Sequence, residues 1–200
     1  PPNVTRALLG IFSPATYIEN LTRPNSSFIA DIVVEEVVQK NGKPICIIGM
    51  SAIDVSTGDV YVHESYSDMM DDSLGLDEAI RFLNGLNPKE ILIEKENLIK
   101  LDENHIIEYL DLEGLYYQFR QFNEEHSKIA VQKLLFETVY PDAKGVANIF
   151  DTLGLTSSIY ARKSLTTLVT YIGDHYDKLI LGIKHPKFYL GTSNLTLGND

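Results

Sequence analysis

The sequence predicts an α/β fold: a mixed central sheet, opened by an antiparallel three-strand meander and completed by parallel strands, flanked by helices. Three observations carry this expectation. Residues 28–38 are dense in β-branched side chains, which suit a pleated, well-packed surface. Two tight turns follow closely, Asn41-Gly42 and Ser56-Thr-Gly58, each joining one apolar run to the next. Beyond the third run the apolar residues recur at helical rather than strand spacing.

Residues 1–27 hold Pro1, Pro2, Gly10, Pro14, Pro24 and Asn25 with little periodicity, and read as an irregular linker with one short strand at 7–12. Strands are expected at 28–38, at 43–55 and from Asp59 to Glu64. A helix over 76–86 follows from the spacing of Leu76, Ile80 and Leu83; Asp77 and Glu78 suit the positive end of its dipole, and Asn87-Pro88 stops it. Glu90-Ile-Leu-Ile-Glu94 is a short apolar run between charges, as in a central strand covered on both faces. Reaching that strand through a helix makes a right-handed βαβ unit. Residues 106–110 read as a fifth, shorter strand.

The second half is mostly helical. Residues 128–139 align Val131, Leu134, Leu135 and Val139, and a long helix capped by Ser157 or Ser158 aligns Leu165, Leu168, Val169, Ile172 and Tyr176. Pro186 interrupts, and 187–190 read as extended. This order of elements describes an RNase H-like α/β domain.

Composition narrows the function classes. Seventeen Lys and Arg against 28 Asp and Glu give a formal net charge of −11, which opposes tight non-specific DNA binding, because phosphate contacts need clustered cations. The single Cys46 sits in an apolar run and excludes an internal disulfide or a Cys-rich zinc site. The five histidines, His63, His105, His126, His175 and His185, show no ligand spacing. No apolar run approaches the ~20 residues needed to span a bilayer, and no signal-peptide pattern is present, so an intracellular protein without membrane partners is expected.

Two motifs point to a family. Ser51-Ala-Ile-Asp-Val-Ser-Thr-Gly-Asp-Val60 and Leu86-Asn-Pro-Lys-Glu-Ile-Leu-Ile93 resemble, in that order, the hairpin and the helix-to-strand turn of the connector domain of MutS DNA mismatch-repair proteins. Thr5-Arg6 and Phe12-Ser-Pro-Ala-Thr16 are similar to the linker leaving the mismatch-binding domain, with Ala15 where the family has Gly. Residues 189–199 resemble the opening of the core and lever region. The helical half, with 111–117, is similar to a MutS branch of giant viruses and octocoral mitochondria. The resemblance implies three segments: linker at 1–27, connector at 28–185, and start of the core or lever region at 186–200. It also implies a fragment that is not itself an enzyme and holds no cofactor, whose parent is a dimeric, DNA-dependent ATPase using ATP and Mg elsewhere. No G-x-x-x-x-G-K-[ST] phosphate loop occurs here. Implied partners are other domains of the same chain, mismatched DNA through the parent, and a MutL-type protein. The hairpin tip at Ser56, Thr57 and Gly58 is the candidate face for that partner.

Two further groups of residues have alternative readings. Asp54, Glu78 and Asp111 lie on strand, helix and loop, as do carboxylates that converge on paired divalent metals in RNase H-like nucleases; the competing reading makes Asp54 a turn-setter and Glu78 a first-turn acid. Tyr116, Tyr117, Phe119 and Phe122 suit either base stacking or core packing.

Overall fold

The computed structural model describes residues 27–40, 42–67, 71, 73–145, 148–175 and 182–190. The expected strand at 7–12, most of the linker, and residues 191–200 of the last segment lie outside them.

The meander forms as expected. Strand β1 (Phe28–Val38) pairs antiparallel with β2 (Pro44–Asp54), which pairs antiparallel with β3 (Val60–Tyr66). Helix α1 (Leu74–Leu86) then crosses to β4 (Glu90–Glu96), which lies parallel to β1 on its far side. The final strand order is β5-β4-β1-β2-β3-β6, so α1 spans two intervening strands. This is a six-stranded mixed sheet, antiparallel in its meander and parallel beyond it, as the sequence predicts. Asn87 ends α1 in a left-handed conformation (φ 48°), its N–H bonded to the Leu83 carbonyl, and Pro88 prevents continuation.

Two expectations are corrected. Residues 106–110 lie not in a strand but largely in helix α2 (Glu103–Tyr109), whose N-cap Asp102 accepts a hydrogen bond from the His105 N–H at 2.8 Å. The strand sits later, at β5 (Tyr117–Gln121), parallel to β4. Its alternation of Tyr117 and Phe119 with Gln118 and Arg120 is the period-two signal of a strand. Phe122 is buried and Tyr117 and Phe119 pack edge-on, so this part of the aromatic group is packing rather than a stacking surface.

The remaining helices are α3 (Ile129–Val139), the single turn α4 (Ile149–Thr152) and α5 (Ile159–His175). Residues 186–190, read in the sequence as the opening of a following region, contribute β6 (Lys187–Phe188) to the same sheet, parallel to β3.

Strand alternation sends opposite residues to two cores. Ala30, Ile32, Val34, Ile48 and Met50 meet Leu76 and Phe82 of α1. Ile29, Ile53, Val62 and Leu92 meet Leu165, Leu168 and Ile172 of α5. Cys46 is buried in the first of these, where burial pushes its thiol up to about 12. Burial on both faces is why β1 and β4 read as near-continuous apolar runs.

Candidate functional site

The face of the sheet under α5 is unusually polar for a core. On β1 it presents Asp31 and Glu35, and on β4 Glu90, Glu94 and Glu96, while β5 adds Arg120 directly beside Glu94. These carboxylates alternate with Ile29, Val33 and Leu92, so the strand period that builds the core also collects the acids on one face.

Three sub-clusters result. Lys163 of α5 reaches down between Glu35 Oε2 (3.2 Å) and Glu96 Oε2 (2.6 Å). Burial opposes ionisation of Glu35, but hydrogen bonds from Asn97 and Tyr160 and the Lys163 ammonium outweigh it and hold its carboxyl below the usual range. Burial wins at Glu96 and raises it. Glu90 Oε1 accepts from the Tyr171 hydroxyl at 2.6 Å and from Gln118 at 3.2 Å.

The third sub-cluster is Asp31 and Glu94. Both are closed to solvent, at 0% and 1% exposure. Arg120 Nε stands 3.2 Å from Glu94 Oε1. Burial raises Glu94 although Arg120 opposes it, and burial together with the Glu94 charge raises Asp31 well above the ordinary carboxylate range. The Ser164 hydroxyl lies 2.8 Å from the Asp31 backbone carbonyl and 2.8 Å from the Ser51 hydroxyl.

Charge also fixes the start of α5. Glu64 of β3 accepts hydrogen bonds from the Tyr160 and Ala161 N–H groups at 2.5 and 2.9 Å, capping the helix from a distant strand. This replaces the Ser157 or Ser158 side-chain cap expected from the sequence, and a carboxylate at that end complements the helix dipole.

The sequence-predicted trio is not brought together. Asp54 ends β2 and sets the turn: its Oδ1 accepts from the Ser56 N–H (2.8 Å), the Ser56 hydroxyl (2.6 Å) and the Ser27 N–H (3.3 Å). Burial opposes ionisation there, but these donors outweigh it and lower its carboxyl. Glu78 faces Arg81 and His63; since His63 pairs with Met50, Glu78 stands four positions down β2 from Asp54, about 13 Å along the strand. Asp111 is exposed beyond α2 at φ 51°. Among the described residues no group of three His, Cys, Asp or Glu side chains is arranged to hold a metal ion. No described helix is long and apolar enough to cross a membrane.

At the hairpin tip, Ser56 and Thr57 are exposed but Gly58 is not, which corrects the expectation of exposure for that residue. The 182–184 segment covers it: the Lys184 N–H bonds its carbonyl at 2.9 Å, and a Cβ here would stand 2.0 Å from the Gly182 oxygen. With φ at +74°, glycine meets both demands.

Sequence reasoning missed Asp31 and Glu94. The available signal was a carboxylate in each of two apolar runs, Ile29-Ala-Asp-Ile-Val-Val34 and Glu90-Ile-Leu-Ile-Glu94.

No protein-family profile matches the chain. It is 27% identical, over 219 aligned residues, to a DNA mismatch repair protein MutS homolog of Acanthamoeba polyphaga mimivirus. The match takes in 98% of this chain and 19% of that protein, so the chain spans about a fifth of its relative's length. Among solved structures, it is similar to the fowlpox virus Holliday junction resolvase (TM-score 0.40, 13% identity, 72% of this chain and 96% of that one). It is also similar to T. thermophilus RuvC in complex with a Holliday junction substrate (TM-score 0.36, 11% identity, 74% and 98%). Both are named as Holliday junction resolvases, which runs against the expectation that this segment is not an enzyme; likenesses at these scores carry no activity over to the chain.

Proposed function

We infer that this chain is the connector-type module of a MutS-like DNA mismatch-repair protein. The observation that carries the reading is the match to the mimivirus MutS homolog, which runs along 98% of the chain. The local structure supports it in one respect. Both motifs behind the family resemblance do defined mechanical work, Asp54 pinning the hairpin and Asn87-Pro88 turning α1 into β4.

Within its parent, the module carries conformational signals between a mismatch-binding part and an ATPase part. It does so by packing differently against its neighbours in each ligand state, which requires arrangements that the ligands favour unequally. ATP and Mg act in the parent outside these residues, mismatched DNA is met through the parent, and the parent works as a dimer inside the cell. Ser56 and Thr57 at the hairpin tip face a MutL-type partner.

The test uses the full-length parent. It should bind a mismatched duplex more tightly than a matched one and release it on adding ATP. Replacing both Ser56 and Thr57 by Arg should leave mismatch binding intact and weaken capture of the MutL-type partner at least tenfold. Equal affinity for the two duplexes contradicts the mismatch-repair reading, and unchanged partner capture contradicts the assignment of the tip.

A further inference from the structure

Five buried side-chain oxygens among the described residues lack a hydrogen-bond partner, and four of them belong to carboxylates on the α5 face: both of Asp31, Oε2 of Glu90 and Oε1 of Glu94, the last of which has Arg120 as an ion-pair partner at 3.2 Å without hydrogen-bond alignment. Asp31 pairs with Leu92, so Glu94 stands one diagonal step away on the adjacent parallel strand, roughly 8 Å between Cα atoms. An isolated buried carboxylate is too costly to keep ionised, and two neighbouring ones cannot both ionise in a closed space. A protonated carboxyl gains an O–H donor, and an ionised neighbour accepts it.

We propose that Asp31 and Glu94 share a single proton, and that this proton is the latch that lets α5 lie closed on the sheet. Among the described residues the charged and polar groups around the pair have partners of their own, and the two that favour an ionised Asp31, the Ser164 hydroxyl and Arg120, are outweighed by burial and the Glu94 charge. From β5, Arg120 approaches Glu94 and marks it as the ionised member, leaving the proton on Asp31. From α5, Lys163 is held by Glu35 of β1 and Glu96 of β4, and the Tyr171 hydroxyl is held by Glu90 of β4. The Ser164 hydroxyl serves the Asp31 carbonyl, Ser51 of β2 faces Ser164, and His126, on the turn Glu124–Ser127, bonds Thr167 of α5. Asp31 is fully buried, and among the described residues neither of two surface concavities, of about 370 and 440 Å³, is lined by the pair. Removing the proton leaves two like charges under α5, relieved only by water, which requires the helix to lift.

The direction of the pH dependence follows. Asp31 in the folded chain holds its proton more tightly than in the unfolded chain. The stabilisation is therefore complete below the ordinary carboxylate range and is lost as pH rises through the folded value. Between those limits the folding equilibrium loses about tenfold per pH unit from this one proton.

The experiment compares the wild-type chain with Asp31→Asn, whose amide donates to Glu94 but cannot ionise. Thermal melts from mildly acidic to mildly alkaline pH should show the wild type losing stability with rising pH and the variant losing less. Infrared spectra of the wild type at neutral pH should contain the stretch of a protonated carboxyl, absent from the variant. Parallel melting slopes, or no protonated carboxyl in the wild type, overturn the proposal. So does a rise in wild-type melting temperature with Mn²⁺ that the variant lacks, which would assign the site to a cation. If Asp31→Asn does not fold, the wild-type infrared spectrum alone decides.

Discussion

Single residues in this chain do work that their type alone does not announce. Asp54 gathers three donors at the mouth of the hairpin, so Asp54→Ala should cost about 1–3 kcal/mol in denaturant unfolding while leaving the rest of the sheet protected from exchange. Its turn-setting role was legible because Asp-x-Ser-Thr-Gly is recognisable turn chemistry. Gly49 was not legible. It lies mid-strand, yet a Cβ would stand 2.1 Å from the Tyr160 carbonyl oxygen where α5 begins, so Gly49→Ala should cost about 1–3 kcal/mol and speed amide exchange in the first turn of α5. A close approach between strand and helix leaves no mark in a sequence except the glycine itself. Asp31 and Glu94 were illegible for a related reason: only the sheet register shows that two acids far apart in the chain share one closed face.

At the scale of elements, α5 is the part most dependent on charge. Lys163 is 10% exposed and sits between two carboxylates, so Lys163→Met leaves Glu35 and Glu96 buried without a counterion. It should cost about 3–5 kcal/mol at neutral pH. Part of that loss should return at acidic pH, where the two carboxyls take up protons, and unfolding curves at the two pH values check this. Glu64→Gln should cost about 1 kcal/mol, read the same way, because the amide still accepts from the helix start but no longer brings a negative charge to the positive end of its dipole. The errors made from sequence also belong to this scale. Residues 106–110 looked strand-like because Ile106-Ile107 is β-branched, yet Asp102 supplies a helix cap and only Ile106 of the pair is fully buried. β5 is hidden because four aromatics within seven residues read as a packing or stacking cluster, which masks their alternation with polar residues.

For the whole molecule, the order of strands and the crossover helix were readable, since each depends on local turns and apolar period. What was not readable is the layer between the sheet and α5, where partners come from residues more than 60 positions apart. The nuclease trio Asp54, Glu78 and Asp111 failed at this scale: each residue suits its own element, but the fold sends them to different places. The proposed signalling role requires the module to respond inside its parent to DNA and nucleotide. The most direct test is hydrogen–deuterium exchange of residues 28–190 in the full-length protein, alone, with mismatched duplex, and with mismatched duplex plus ATP. Exchange should differ among the three states, concentrated at surfaces facing the rest of the parent, with the β1–β4 core unchanged. Identical exchange throughout the module in all three states would contradict it.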